Sequence, residues 1–236
     1  MVGTLLNVGS VLVGGGLGAL LGSRLPERMR DTVMHGLGLV TLVMGVHLTL
    51  KTQEILIVMG SVLIGGLLGE WLRIDAGLER LSGWLHERVR RRVGDRPLGR
   101  FTEGFVTASL VFCVGPMTIL GSIQDGLTGD FTLLAIKSLV DAFAALAFAS
   151  SLGIGVLFSA LTVLIYQGAL TLLAGVAQSV LTDPMIAEMT ATGGVLILAI
   201  GFMLLDIKRI RVANLLPALV IAPAIVALLG ALGIAY

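Results

Sequence analysis

Charge is scarce in this chain. Asp, Glu, Lys and Arg make up 13% of its 236 residues, about half the share of an ordinary soluble domain. Hydrophobic residues make up 56%, and the mean hydropathy is +1.00. Such a chain cannot cover itself with a polar surface, so a water-soluble globule is excluded. Cysteine occurs once, as Cys113, which rules out an internal disulfide and a multi-thiolate metal site. His35 and His47 share no ligand spacing with other His, Cys or carboxylate residues, so no metal is assigned. Neither H-E-x-x-H nor G-x-S-x-G occurs, which leaves no standard hydrolase and no expectation of an enzyme. No Lys or Arg precedes the first apolar run, Met1–Leu21. That run is longer than a signal-peptide core and further runs follow it, so it reads as a retained helix.

What the chain has is long apolar runs. Crossing a hydrocarbon core of about 30 Å takes about twenty apolar residues in a helix. Eight stretches meet this, near 3–22, 32–50, 54–72, 104–123, 131–150, 154–180, 189–206 and 214–234. The expected fold is an all-α integral membrane protein of eight spans, one polytopic domain in the lipid bilayer. The links between spans carry an orientation signal. Arg24, Arg28 and Arg30 lie in the first link, Arg73 through Arg100 in the third, and Lys208, Arg209 and Arg211 in the seventh. The links near 124–130, 151–153 and 181–188 have no Lys or Arg. Basic links stay cytoplasmic. With eight spans all three fall on one side, and both termini are then non-cytoplasmic.

The longest link, Ile74–Arg100, repeats apolar residues at Ile74, Leu78, Leu81, Leu85 and Val89 between Arg, Glu and His. That spacing predicts an amphipathic helix on the cytoplasmic face, with Trp84 at the interface. Its basic tail, RVRRRVGDRP, faces anionic headgroups. No nucleic acid is expected, because a short basic run beside spans sets topology.

Two repeats stand out. GSVLVGGGLG at Gly9–Gly18 recurs as GSVLIGGLLG at Gly60–Gly69. Glycines four apart, such as Gly14, Gly18 and Gly22 or Gly65 and Gly69, share a helix face and let backbones approach. The expected use is helix packing, between spans one and three or across a homodimer. A nucleotide loop is excluded, since no strand precedes the glycines, and no cofactor is expected. The second repeat pairs Leu20–Gly45 with Val180–Met203. Pro26 matches Pro184, and Gly38 and Gly45 match Gly194 and Gly201. By the span count the copies point in opposite directions, as inverted repeats in secondary transporters do. The repeat units are spans one to three and six to eight.

The fourth span, in Phe105–Leu127, is interrupted by Gly115-Pro116. Proline has no N–H and clashes with the preceding turn, so the Phe112 carbonyl loses its helical partner. Within a bilayer such a break persists only where protein or water satisfies it. Polar residues gather around it: Asn7, Ser109, Thr118, Ser122, Gln124 and Asp125, with Thr107, Tyr166 and Gln167 also available. Singly, each reads as a helix–helix hydrogen bond; together they read as a cavity lining. Lys137 and Asp141 are four apart in the fifth span and can pair. Each alone at the bilayer centre would cost roughly 2.5–3.5 kcal/mol. The pair is either structural, a near-interface ion pair or a lock of helix five on helix four, or functional, a gate or a proton- or cation-coupled carboxylate. Asp125 and Asp130 flank a glycine turn that is either solvated or a cation-attracting mouth. The binding set expected here is Asn7, Ser109, Gly115, Pro116, Thr118, Ser122, Gln124, Asp125, Lys137 and Asp141.

With MVGTLLNVGSVLVG at its start and VGPMTILGSIQDGL in its middle, the chain resembles the bacterial inner-membrane family of the YqgA/YdfK type. The resemblance covers the whole chain. It implies a bacterial integral membrane protein, often labelled a transport protein, and supplies no substrate. The residues lead to a transporter or channel for a small ionic or zwitterionic solute. The other class of function is a scaffold or sensor that signals through Ile74–Arg100.

Overall fold

The computed structural model describes residues 1–22, 26–77, 80 and 101–233. These form α1 (Val2–Gly22), α2 (Glu27–Thr49), α3 (Ile55–Leu72), α4 (Phe101–Cys113), α5 (Pro116–Thr128), α6 (Thr132–Leu152), α7 (Gly155–Leu172), α8 (Ala174–Val180) and α9 (Asp183–Leu204). A 3-10 turn (Val212–Leu215) then leads into α10 (Ala218–Ala231). No strand occurs among the described residues. Among the described residues, seven segments are long and apolar enough to cross a membrane, the last being Val212–Ala231, and counting α4 with α5 as one makes eight. This is a multi-pass membrane protein. The amphipathic helix expected over Ile74–Arg100 lies almost wholly outside the described residues. The expected sixth span, 154–180, is divided at Leu173 into α7 and α8.

Outer faces are apolar: Leu67, Trp71, Leu172 and Val220 are each more than 70% exposed. Water would penalise such a surface, and lipid does not. Inside, small residues set the packing. α1 lies between α6 and α7. A Cβ on Gly14, Gly18 or Gly22 would overlap the carbonyl of Ala142, Leu146 or Ser150, respectively. Contacts that advance together along both chains mean that α1 and α6 run parallel. Gly65 and Gly69, the matches of Gly14 and Gly18 in the first repeat, lie instead against Ala218 and Asn214. The expected packing of span one on span three is thereby corrected: each glycine face has its own partner, α6 or α10. A homodimer through these same faces would have to displace those helices.

α2 packs on α9 in the opposite sense. Gly38 lies on Leu205 and Gly45 on Leu198, while Gly194 lies on Thr49 and Gly201 on Leu42. Shifting the first two contacts by 156 residues reproduces the last two. The helices therefore cross at equivalent positions of the second repeat. α1 and α7 are also antiparallel, through Thr4–Thr171 and Asn7–Gln167. So are α3 and the segment formed by the 3-10 turn and α10, through Gly65–Ala218 and Gly69–Asn214.

Candidate functional site

The site begins at the break. Gly115 is extended (φ −67°, ψ 146°) and caps α5, and Pro116 occupies the first turn of that helix. A residue before proline is pushed out of the helical region, and proline tolerates a first turn because it has no N–H to lose. The axes of α4 and α5 differ by 60°. The Phe112 carbonyl freed by Pro116 accepts the Thr118 hydroxyl at 2.9 Å. Phe112, Thr118 and Ile119 are fully buried. Val114 fits where Gly193 of α9 has no side chain. The freed carbonyl is thus paired within the protein, as a break at bilayer depth requires.

Beside it lies a buried polar cluster. Lys137 and Asp141, one turn apart on α6, form an ion pair at Asp141 Oδ2 and are 6% and 5% exposed. Asn7, fully buried on α1, donates from Nδ2 to Asp141 Oδ2 at 3.0 Å and to Gln167 Oε1 of α7 at 2.9 Å. Gln167 Nε2 donates to the Thr4 hydroxyl at 3.3 Å. Thr4 and Thr171 hydroxyls meet at 3.2 Å, and the Thr171 hydroxyl donates to the Gln167 carbonyl. Asn7 Oδ1 is buried and has no hydrogen-bond partner among the described residues. The buried Cys113, which ends α4, lies within electrostatic range of Lys137 and Asp141.

Other expected site residues have different surroundings. Asp125 is buried, not on a solvated mouth: its Oδ2 accepts the Gly3 N–H at 3.2 Å and lies 2.9 Å from the Met1 nitrogen. Ser122 donates to the Thr118 carbonyl of its own helix. Ser109 reaches Thr162 of α7 at 3.0 Å. Gln124 donates to Asp130 at 2.8 Å on the exposed turn. There the Thr132 hydroxyl and N–H hold the Asp130 carboxyl below its ordinary range. The structure therefore gathers Asn7, Lys137 and Asp141, and adds Gln167, Thr4 and Thr171. It turns Thr118 and Ser122 to backbone carbonyls, and it leaves Gln124 at the rim.

Sequence reasoning missed Glu188. Fully buried in the second turn of α9, its carboxylate accepts the Thr52 hydroxyl and the Gln53 N–H, both at 2.7 Å, and the Glu54 N–H at 3.1 Å. It thereby caps the start of α3 from another helix. Thr190 and Thr192 are also buried, and their hydroxyls have no partner among the described residues. The charge of Glu188 in an otherwise weakly charged helix was the available signal. No group of three His, Cys, Asp or Glu suited to a metal occurs among the described residues.

A family model described as "Protein of unknown function (DUF554)" matches residues 2–227. The chain belongs to that family. It is similar to "Uncharacterized protein YqgA" of Escherichia coli (strain K12), with 35% identity over 222 residues and 94% of each chain covered. It is also similar to "Uncharacterized membrane protein YdfK" of Bacillus subtilis (strain 168), with 30% identity over 241 residues and all of both chains covered. No solved structure matches it.

Proposed function

We propose that the protein is a small transporter for an ionic or zwitterionic solute, built as an inverted repeat of α1–α3 and α7–α10 around α4–α6. The observation that carries this reading is the buried Lys137–Asp141–Asn7–Gln167 cluster, where α1 and α7, the first helices of the two halves, meet on α6. Ionisable side chains in a membrane interior are costly, and they mark pathways more often than they stabilise packing. Transporter sites recur near the midplane between inverted repeats, beside interrupted helices.

The helix directions support the same reading. α1 and α6 run parallel, so an odd number of crossings separates them. With α2 and α3 as two, α4 and α5 together make the third, which favours one interrupted crossing over a hairpin that returns to its own side. The equivalent crossing of α2 on α9 supports a two-fold axis in the membrane plane, and Asn7–Gln167 lies where α1 and α7 cross. At the break the end of α4 carries partial negative charge and the start of α5 partial positive charge. With the basic links cytoplasmic, both termini lie on the far side of a bacterial inner membrane.

The test is flux. Purified protein in proteoliposomes is expected to take up at least one solute from a panel of small ions, amino acids and amines. Asp141→Asn is expected to reduce that uptake to the level of empty liposomes. Uptake unchanged in Asp141→Asn and Asn7→Ala would remove the cluster from the pathway.

A further inference from the structure

The hydrogen bonds of the cluster carry a direction, and the direction specifies a ligand. This step rests on the reading of the cluster as a solute site. Asn7 Nδ2 lies between two acceptors, Asp141 Oδ2 and Gln167 Oε1. An amide oxygen in that place would face two other oxygens, so the orientation of the Asn7 amide is determined. Its Oδ1 is then a buried acceptor left without a donor among the described residues. The Gln167 amide is likewise oriented, because its Nε2 donates to Thr4 and its Oε1 accepts from Asn7. A buried amide oxygen left unpaired is costly, so a ligand that pairs it is favoured.

We propose that Asn7 Oδ1 and the Asp141 carboxylate form a site for a small monovalent cation, and that the Lys137 ammonium is its tethered competitor. Charge decides the sign. An anion would face the Asp141 carboxylate and the Asn7 oxygen, and the nearest cation, Lys137, is already paired. Charge also decides the valence. One carboxylate serves the cluster, and Asp125 is engaged by Gly3 N–H and the Met1 nitrogen. Divalent ions such as calcium take six to eight oxygens, commonly several from carboxylates. A monovalent cation instead exchanges for Lys137 with no change of net charge around Asp141. The displaced ammonium must then find solvent or a solute anion, which couples cation entry to an opening of the cluster.

The experiment uses the full-length protein in detergent. Thermal unfolding is followed in lithium, sodium and potassium chloride against choline chloride, at one pH and one ionic strength. One alkali cation is expected to raise the Tm saturably, as a ligand of the folded state does. Lys137→Gln, which removes the competitor, is expected to lower the half-saturating concentration about tenfold or more. Asp141→Asn is expected to abolish the response. The wild-type and Asp141→Asn measurements decide the matter even if Lys137→Gln does not fold. Absence of any alkali-specific shift in the wild type overturns the proposal, as does a shift that survives Asp141→Asn. So does a response to pH alone, which would assign the ligand as a proton. Solute uptake without a cation shift refutes this site and leaves the transport reading standing. A cation shift without uptake of any solute does the reverse.

Discussion

Adding one methyl group at Gly14 tests the link between packing and the polar cluster. A carbon and a carbonyl oxygen approach to about 3.3 Å, and a Cβ on Gly14 would begin well inside that limit on the Ala142 carbonyl. Backbone cannot rotate away as a side chain can, so α1 and α6 must part by about 1 Å to restore contact distance. Ala142 is the neighbour of Asp141. The same displacement stretches the Asn7–Asp141 hydrogen bond, 3.0 Å in the native protein, to about 4 Å, where it no longer holds. Overpacking costs about 1–3 kcal/mol, and loss of a bond to a charged group adds about 1.5–3 kcal/mol. Gly16, two residues along the same helix, has nothing within 4 Å of an added Cβ. There alanine gains up to about 1 kcal/mol of helix propensity. Thermal unfolding in detergent is therefore expected to show Gly14→Ala well below wild type and Gly16→Ala at or above it. If the two variants shift alike, the close contact of α1 with α6 is wrong, and with it the position of Asn7.

Thr118→Val keeps the shape and removes the hydroxyl that covers the Phe112 carbonyl; it is expected to cost about 1–3 kcal/mol, with Thr118→Ser near wild type by the same unfolding assay. Glu188→Ala uncaps three donors at the start of α3 and is expected to cost about 3 kcal/mol. Glu188→Gln, which keeps one acceptor, is expected to lose less, and equal losses would assign the effect to packing. At the exposed turn, the Thr132 hydroxyl and N–H keep the Asp130 carboxyl below its ordinary value of 3.8. Asp130 binds protons less readily in the folded state, so its small contribution is present above the ordinary carboxylate range and disappears as pH falls through the lowered value. Thr132→Val is expected to raise the Asp130 titration midpoint, read from its carboxyl carbon resonance; an unmoved midpoint would refute the assignment.

Much of the fold was legible because its causes are local. Runs of about twenty apolar residues predict crossings wherever they occur, since the bilayer sets the length. Lys137 and Asp141 pair because a helix brings residues four apart onto one face. Proline at 116 separates α4 from α5 through chemistry confined to one turn. Even the loss of the Phe112 partner followed from the sequence, and Thr118, six residues on, restores it across the bend.

Partner choice was not local. Gly14 and Gly65 occupy matching places in the first repeat, and nothing in their surroundings distinguishes α6 from α10 as the neighbour. That depends on how all the helices share space. The amide of Asn7, the carboxylate of Glu188 and the hydroxyls of Thr4 and Thr171 read as isolated polar residues along the chain. They come together through partners more than 130 residues away. The amino-acid order determined a membrane-embedded helical protein with a helix break at Gly115-Pro116 and an ion pair between Lys137 and Asp141, because helix periodicity and lipid exclusion act over a few turns. The assembled structure decided which side chains surround that pair and which acceptor is left open, because hydrogen bonds between helices form only after packing has set the distance.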